Sequence, residues 1–173
     1  MLSYFIKIVC RTLLFMPLMA AAKGVYFTND AFFEQAFNGE ICEPGAVWLR
    51  EQRKQTMQVI LARESVGLRQ RYCRIGKKTA WIFNEIGKEL PITIGVVVFG
   101  GEVEKVVVLA YRESRGGEIR HPFFTQQFKG QRLDNNFELT RGVDGITGAT
   151  LSVNAMRRCT QAALYLHSQL FDG

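Results

Sequence analysis

Thr93-Ile94-Gly95-Val96-Val97-Val98-Phe99 runs directly into Gly100-Gly101, and Val103 to Tyr111 follows. The first seven residues are mostly β-branched and apolar, the composition of a buried strand. Two adjacent glycines supply the backbone freedom of a tight turn, so the second run returns as the antiparallel partner. Working upstream, Thr79-Ala80-Trp81-Ile82-Phe83 reads as a further strand, with Gly76-Lys77-Lys78 as the turn before it. Val47 to Ala62 lacks Gly and Pro and places Val47, Met57, Ile60 and Leu61 among charges, which predicts a surface helix. Asn29 or Asp30 suits the cap of a short helix through Asn38, stopped by Gly39. Gly67 to Tyr72 carries no clear pattern. Downstream, Arg112 to Gly117 is a polar loop with paired glycines, Phe123, Phe124 and Phe128 cluster before Gly130, and Asp134 to Glu138 reads as a second loop. Leu151 to Phe171 has neither Gly nor Pro. Val153, Met156, Thr160, Ala163, Leu164 and Leu170 recur there at helical spacing, so a long C-terminal helix is expected. Strands joined by short turns, with helices at both ends, predict an α+β fold with an antiparallel sheet and flanking helices.

The chain has 173 residues, enough for one domain with its own core. Residues 1–22 differ from the rest. Lys7 and Arg11 precede the apolar run Thr12 to Ala22, which ends in Ala20-Ala21-Ala22. A positive start, a short apolar core and small residues predict a secretory signal; an uncleaved N-terminal anchor is the alternative, since Leu2 to Val9 are also mostly apolar. Three segments follow: a leader or anchor at 1–22, a helical and strand part at 23–92, and a ligand-binding part at 93–171. The formal net charge is +6 and is spread without a Lys/Arg run, so no nucleic-acid partner is expected. Beyond the leader lie Cys42, Cys73 and Cys159, an odd number that allows at most one internal bridge. Cys42–Cys73 is the expected pair. Without a CxxC, a CxxCH or a His cluster, structural zinc and c-type haem are disfavoured.

Asp144-Gly145-Ile146-Thr147-Gly148-Ala149-Thr150 stands immediately before the long helix. The first turn of a helix leaves backbone N–H groups without intrahelical partners, and its dipole is positive there, so a phosphate is stabilised at that point. Gly148 and Ala149 keep the backbone uncrowded, and Thr150 offers a hydroxyl that can be esterified if an enzyme and a metal activate it. The plainer reading is that Thr147 or Thr150 caps the helix.

Asp144-x-x-Thr147-Gly148-Ala149-Thr150 resembles the flavinylation motif Asp-x-x-[Ser/Thr]-Gly-Ala-[Ser/Thr] of the FMN-binding domain family. That family is related to the C subunit of sodium-pumping NADH:quinone oxidoreductase and the G subunit of the Rnf complex. Glu113-Ser114-Arg115-Gly116-Gly117-Glu118 is similar to the Glu-Thr-Pro-Gly-Leu-Gly loop of those subunits, with Arg115 at the Pro, Gly117 at the Leu and Glu118 at the second Gly. Phe123-Phe124 and Gln127-Phe128-x-Gly130 resemble the aromatic segment that follows. The resemblance spans roughly residues 93–170. It implies covalent FMN, joined by a phosphoester to Thr150. Asp144, Thr147, Gly148 and Ala149 would be recognition and phosphate-loop positions, with Glu113, Ser114 and Gly116 in the loop against the flavin. It also implies a flavin transferase that performs the attachment from FAD with magnesium.

Other residues carry weaker expectations. Arg112, Arg115 and Arg120 suit a solvated loop or a cation near the flavin. Trp81, Phe123 and Phe124 suit the core or a stack on the flavin ring. Glu113 suits a hydrogen bond to flavin or backbone. Cys159 reads as a small buried hydrophobe, and His121 receives no role. The expected function is an exported, periplasmic electron carrier, free or held at the membrane by its N-terminal segment, that exchanges electrons with a membrane or periplasmic redox protein. A flavin-dependent reductase of a small substrate and a flavin-free accessory protein are the alternatives.

Overall fold

The computed structural model of the chain describes residues 24–171, so the expected leader at 1–22 lies outside the described residues. Five strands form one antiparallel sheet in chain order: β1 (Glu43–Trp48), β2 (Arg69–Ile75), β3 (Lys78–Ile86), β4 (Pro91–Phe99) and β5 (Glu102–Ala110). Helix α1 (Asn29–Ala36) covers one face; α2 (Glu51–Leu61) and α4 (Thr150–Phe171) pack against the other, and the short α3 (Pro122–Thr125) lies between β5 and α4 in the chain. No described helix is long and apolar enough to cross a membrane.

Strand β4 explains why its sequence does not alternate. Ile92, Ile94, Val96 and Val98 join the larger core beneath α4, whereas Val97 joins Phe32, Ala36, Phe37, Ala80 and Leu109 beneath α1. A strand covered on both faces needs apolar residues at every position. Gly95 belongs to the α1 face, where an added Cβ would lie 2.5 Å from the Phe32 ring, so the missing side chain admits that ring. The turn after β4 has the expected geometry, with φ of 58° at Gly100 and 81° at Gly101. A buried polar chain ties it to α4: the Gly101 N–H donates to His167 Nε2 at 3.2 Å, and His167 Nδ1 lies 2.8 Å from Thr79 Oγ1. Trp81 Nε1 donates to the same Thr79 oxygen at 2.8 Å. Because Nε2 accepts from Gly101, Nδ1 is the nitrogen that donates to Thr79 Oγ1.

Two expectations for the N-terminal half are corrected, and one stretch without a pattern gains a strand. The helix predicted over Val47 to Ala62 begins at Glu51, and Val47 and Trp48 end strand β1, paired with Gln70 and Arg69. Val47 is buried because the strand turns it into the core shared with Met57, Ile60 and Leu61. Thr28, not Asn29 or Asp30, caps α1; its Oγ1 accepts from the Ala31 N–H at 3.1 Å. The unpatterned stretch after Gly67 contains β2, whose Arg69, Arg71 and Arg74 obscure the strand period while its backbone pairs with β1 and β3. Cys42 and Cys73 form a disulfide across 31 residues, joining the segment after α1 to β2. Cys159 is a free, fully buried thiol, and burial raises its pKa well above the ordinary value.

The long helix starts at Thr150, as the Gly-containing turn before it suggests. It is buried on more than one stripe, because the 131–140 segment wraps its outer side. Gln161 Nε2 donates to Glu138 Oε2 at 2.7 Å, and Phe137 meets Tyr165 edge-on at 5.4 Å. That wrap is held from inside by Gln131, which is fully buried. Its Oε1 accepts from the Arg141 N–H at 3.0 Å and its Nε2 donates to the Arg141 carbonyl at 3.0 Å.

Candidate functional site

Strand β5 delivers Tyr111 to the base of the 112–117 loop. The Tyr111 N–H donates to the Gly24 carbonyl at 2.7 Å, and the ring is buried. Its hydroxyl donates to the Arg115 carbonyl, which can only accept, so the Ser152 hydroxyl must be the donor in the 3.0 Å contact between Ser152 Oγ and Tyr111 Oη. One phenol thus joins the end of β5, the crest of the loop and the first turn of α4. Burial raises the Tyr111 pKa, so the phenol is protonated at neutral pH.

Gly116 brings the loop onto the helix. Its φ is +86°, and an added Cβ would lie 2.7 Å from Tyr111 Oη and 3.1 Å from Ala149 Cβ. Only a residue without a side chain fits there. The contact sets two sequence-distant segments as walls of one cleft of about 630 Å³. Lys88, Glu113, Ser114 and Arg115 line it together with Gly148, Ala149, Thr150, Leu151 and Ser152. The Ala149 carbonyl accepts from the Val153 N–H at 2.9 Å, so Thr150 is the first residue of α4 rather than its cap. The N–H groups of Thr150, Leu151 and Ser152 therefore belong to a first turn with no acceptor inside the helix. Thr150 is exposed. Gly148 before it has φ of +81° with open space beside it.

Glu113 is occupied by the protein. Its Oε1 accepts from the backbone N–H groups of Lys88 at 2.7 Å, Glu89 at 2.7 Å and Leu90 at 2.8 Å. The Leu90 N–H holds the carboxyl below its ordinary pKa; partial burial opposes this, and the Glu89 and Lys88 N–H groups add to it. The carboxylate is thus a latch that ties the β3–β4 turn to the loop, consistent with the expected bond to backbone.

The structure gathers Thr150, Gly148, Ala149, Glu113 and Ser114 around the cleft and packs Gly116 against Ala149 outside its lining. Asp144 and Thr147 are exposed and lie outside the cleft lining; Asp144 is held through its N–H, which donates to Gln127 Oε1 at 2.7 Å. Trp81 and Phe124 are fully buried in the core, which removes them as stacking partners for a ligand. Phe123 is exposed but does not line the cleft, and its ring stacks on His121 with centroids 6.2 Å apart. Lys88, Tyr111 and Ser152 were not anticipated. No sequence pattern marks them, because each joins the site through a contact between segments far apart in the chain.

The arrangement suits a phosphate. Unpaired first-turn N–H groups, an exposed hydroxyl, open space at Gly148 and the cations Lys88 and Arg115 surround one volume. Residues 87–165 match the family described as the FMN-binding domain, a span that runs from the turn latched by Glu113 through most of α4 and contains the residues of both cleft walls. No curated protein matches the chain.

Proposed function

We propose, from the match of residues 87–165 to the family described as the FMN-binding domain, that the chain is an exported electron carrier with FMN joined by a phosphoester to Thr150. The observation that carries this reading is the exposed Thr150 at the first position of α4, inside a cleft whose opposite wall bears Lys88 and Arg115. Thr150 Oγ would take the FMN phosphoryl group from FAD in a flavin transferase, with AMP as the leaving group and the hydroxyl proton released. The first-turn N–H groups and Lys88 then stabilise the remaining phosphodiester charge. Gly148 and Ala149 leave the approach open, and Glu113 keeps Lys88 in place by holding its backbone. Bound flavin exchanges one or two electrons and so can link two-electron donors to one-electron chains.

The Cys42–Cys73 disulfide supports an oxidising, periplasmic location, and residues 1–22 read as the leader or anchor that would deliver the chain there. The electron partner on this reading is a membrane or periplasmic redox protein. The test is expression with a flavin transferase. Wild type should show flavin fluorescence that survives denaturing electrophoresis, with the mass gain of an FMN phosphoryl group. Thr150→Ala should lose both, and Thr150→Ser should keep them. A wild type without the mass gain, or a Thr150→Ala protein that gains it equally, defeats the proposal.

A further inference from the structure

Helix α1 leaves much of its face of the sheet bare. Its 8 residues reach about 12 Å, whereas the 9-residue strands β3 and β4 run about 30 Å. Cys73 and Ala80 lie beneath α1 in the smaller core. Strand alternation from those two puts Arg69 and Arg71 of β2, and Asn84 and Ile86 of β3, on the same face, and each of them is exposed. At the sheet edge β1 adds Trp48, which pairs with Arg69 and is 47% exposed. The guanidinium carbons of Arg50 and Arg69 each lie 5.6 Å from the centre of its ring.

Arg50, Arg69 and Arg71 form no ion pair among the described residues. By the same alternation, no Asp or Glu of β1 to β4 stands on this face. Asp30 and Glu34 belong to α1, which covers the other part of the face, and Glu51 opens α2, which packs on the opposite side of the sheet. A guanidinium stacked on an indole keeps its charge and its N–H donors, because the ring is not a counter-ion. These arginines can therefore fork the oxygens of an anion.

The exposed apolar residues of the face, Trp48 and Ile86, are single side chains set among polar and cationic ones. A protein interface has a contiguous apolar centre depleted of charge, which this mixture lacks. A second copy of the chain would set guanidinium against guanidinium. The headgroup layer of an anionic bilayer matches the mixture: its phosphates meet arginines, and a tryptophan ring rests where the polar and apolar zones join.

We propose that this bare face docks on an anionic phospholipid bilayer, with Trp48 entering the headgroup layer and Arg50, Arg69 and Arg71 on lipid phosphates. None of these residues lines the Thr150 cleft, so the surface does not depend on flavin attachment.

The test is co-sedimentation of the purified full chain with vesicles of phosphatidylcholine, and with vesicles of equal parts phosphatidylcholine and phosphatidylglycerol. Binding should be tighter to the anionic vesicles and should weaken as sodium chloride is raised. Arg50→Ala, Arg69→Ala and Arg71→Ala should each weaken it about five-fold, with unchanged circular dichroism. Residues 1–22 are the same in every variant, so any binding they cause is common to all. Trp48 gives a direct readout, because the other tryptophan, Trp81, is fully buried. Its emission should move to shorter wavelength on the anionic vesicles, brominated lipid should quench it, and Trp48→Phe should abolish both responses. Thr150→Ala should keep vesicle binding, which separates this surface from the flavin reading. The proposal is overturned if anionic vesicles leave the emission unchanged, or if all three arginine variants bind them as wild type does. It is also overturned if soluble polyglutamate moves the emission and the vesicles do not, which would assign the face to an acidic protein.

Discussion

At Glu113 the partner of a side chain is decided by a segment far away in the chain. A glutamate in a glycine-rich loop suggests a ligand contact, but three N–H groups of the 88–90 turn converge on its Oε1. The pH dependence follows from the lowered pKa. The unfolded carboxyl titrates near its ordinary value of 4.5 and the folded one below it. The latch therefore contributes fully above that value, and its contribution is lost as pH falls through the folded value. Glu113→Gln should destabilise the protein by about 1 kcal/mol at pH 7, discounted for its partial exposure. Urea denaturation at pH 7 and at progressively lower pH should show the gap to wild type closing. A gap independent of pH would mean that the carboxylate charge is not what holds the turn. Thr150 is the opposite case: its place at a helix start was legible, because small residues and a hydroxyl before a Gly-free apolar period are local signals. That it stands inside the helix, one residue past the capping position, depended on the Ala149 carbonyl accepting from Val153. Tyr111→Phe should remove the bridge to the Arg115 carbonyl and to Ser152, costing about 1–2 kcal/mol in chemical denaturation. Thermal unfolding unchanged from wild type would show the bridge to be idle.

Among the elements, those whose patterns are local were readable and those defined by distant pairing were not. The β4–β5 hairpin and α4 carry their own period and punctuation. Strand β1 does not; Val47 and Trp48 are strand residues because Gln70 and Arg69 lie opposite them. Strand β2, rich in arginine, is likewise held by its two neighbours more than by its own composition. The loop and the helix start meet at Gly116, and this contact is the element-scale prediction. Gly116→Ala forces a side chain onto a φ of +86° and within 2.7 Å of Tyr111 Oη. The loop must shift, at a cost of about 2 kcal/mol or more, and on the proposed function flavin attachment at Thr150 should fall with it. Gly142→Ala, where a Cβ meets open space, is the control and should change stability by less than about 0.5 kcal/mol. Equal melting temperatures for the two variants would contradict the packing account.

Across the described residues, one sheet carries the layers and one disulfide closes a loop between them. Cys42–Cys73 spans 31 residues and ties the α1 side to β2. Replacing both cysteines by serine should cost about 3–4 kcal/mol if the restraint acts on the unfolded chain. Denaturation with and without reductant should reproduce that loss in wild type and leave the double variant unmoved. Equal stability in all four samples would show that the bridge contributes nothing. Local signals in the sequence carry the α+β class, the central hairpin, the long C-terminal helix and the glycine-containing turn that leads into it. Each rests on residue period, glycine placement and capping chemistry, which act within a few positions of the chain. The site as a volume was decided only by the tertiary structure. Lys88, Arg115 and Thr150 come from three separated segments, and Tyr26 faces Arg120 from the far end of the described chain. Nothing local selects those neighbours. They meet because the sheet, the Tyr111 bridge and the Gly116–Ala149 contact bring long-separated backbone together, and packing of that kind is a property of the folded whole.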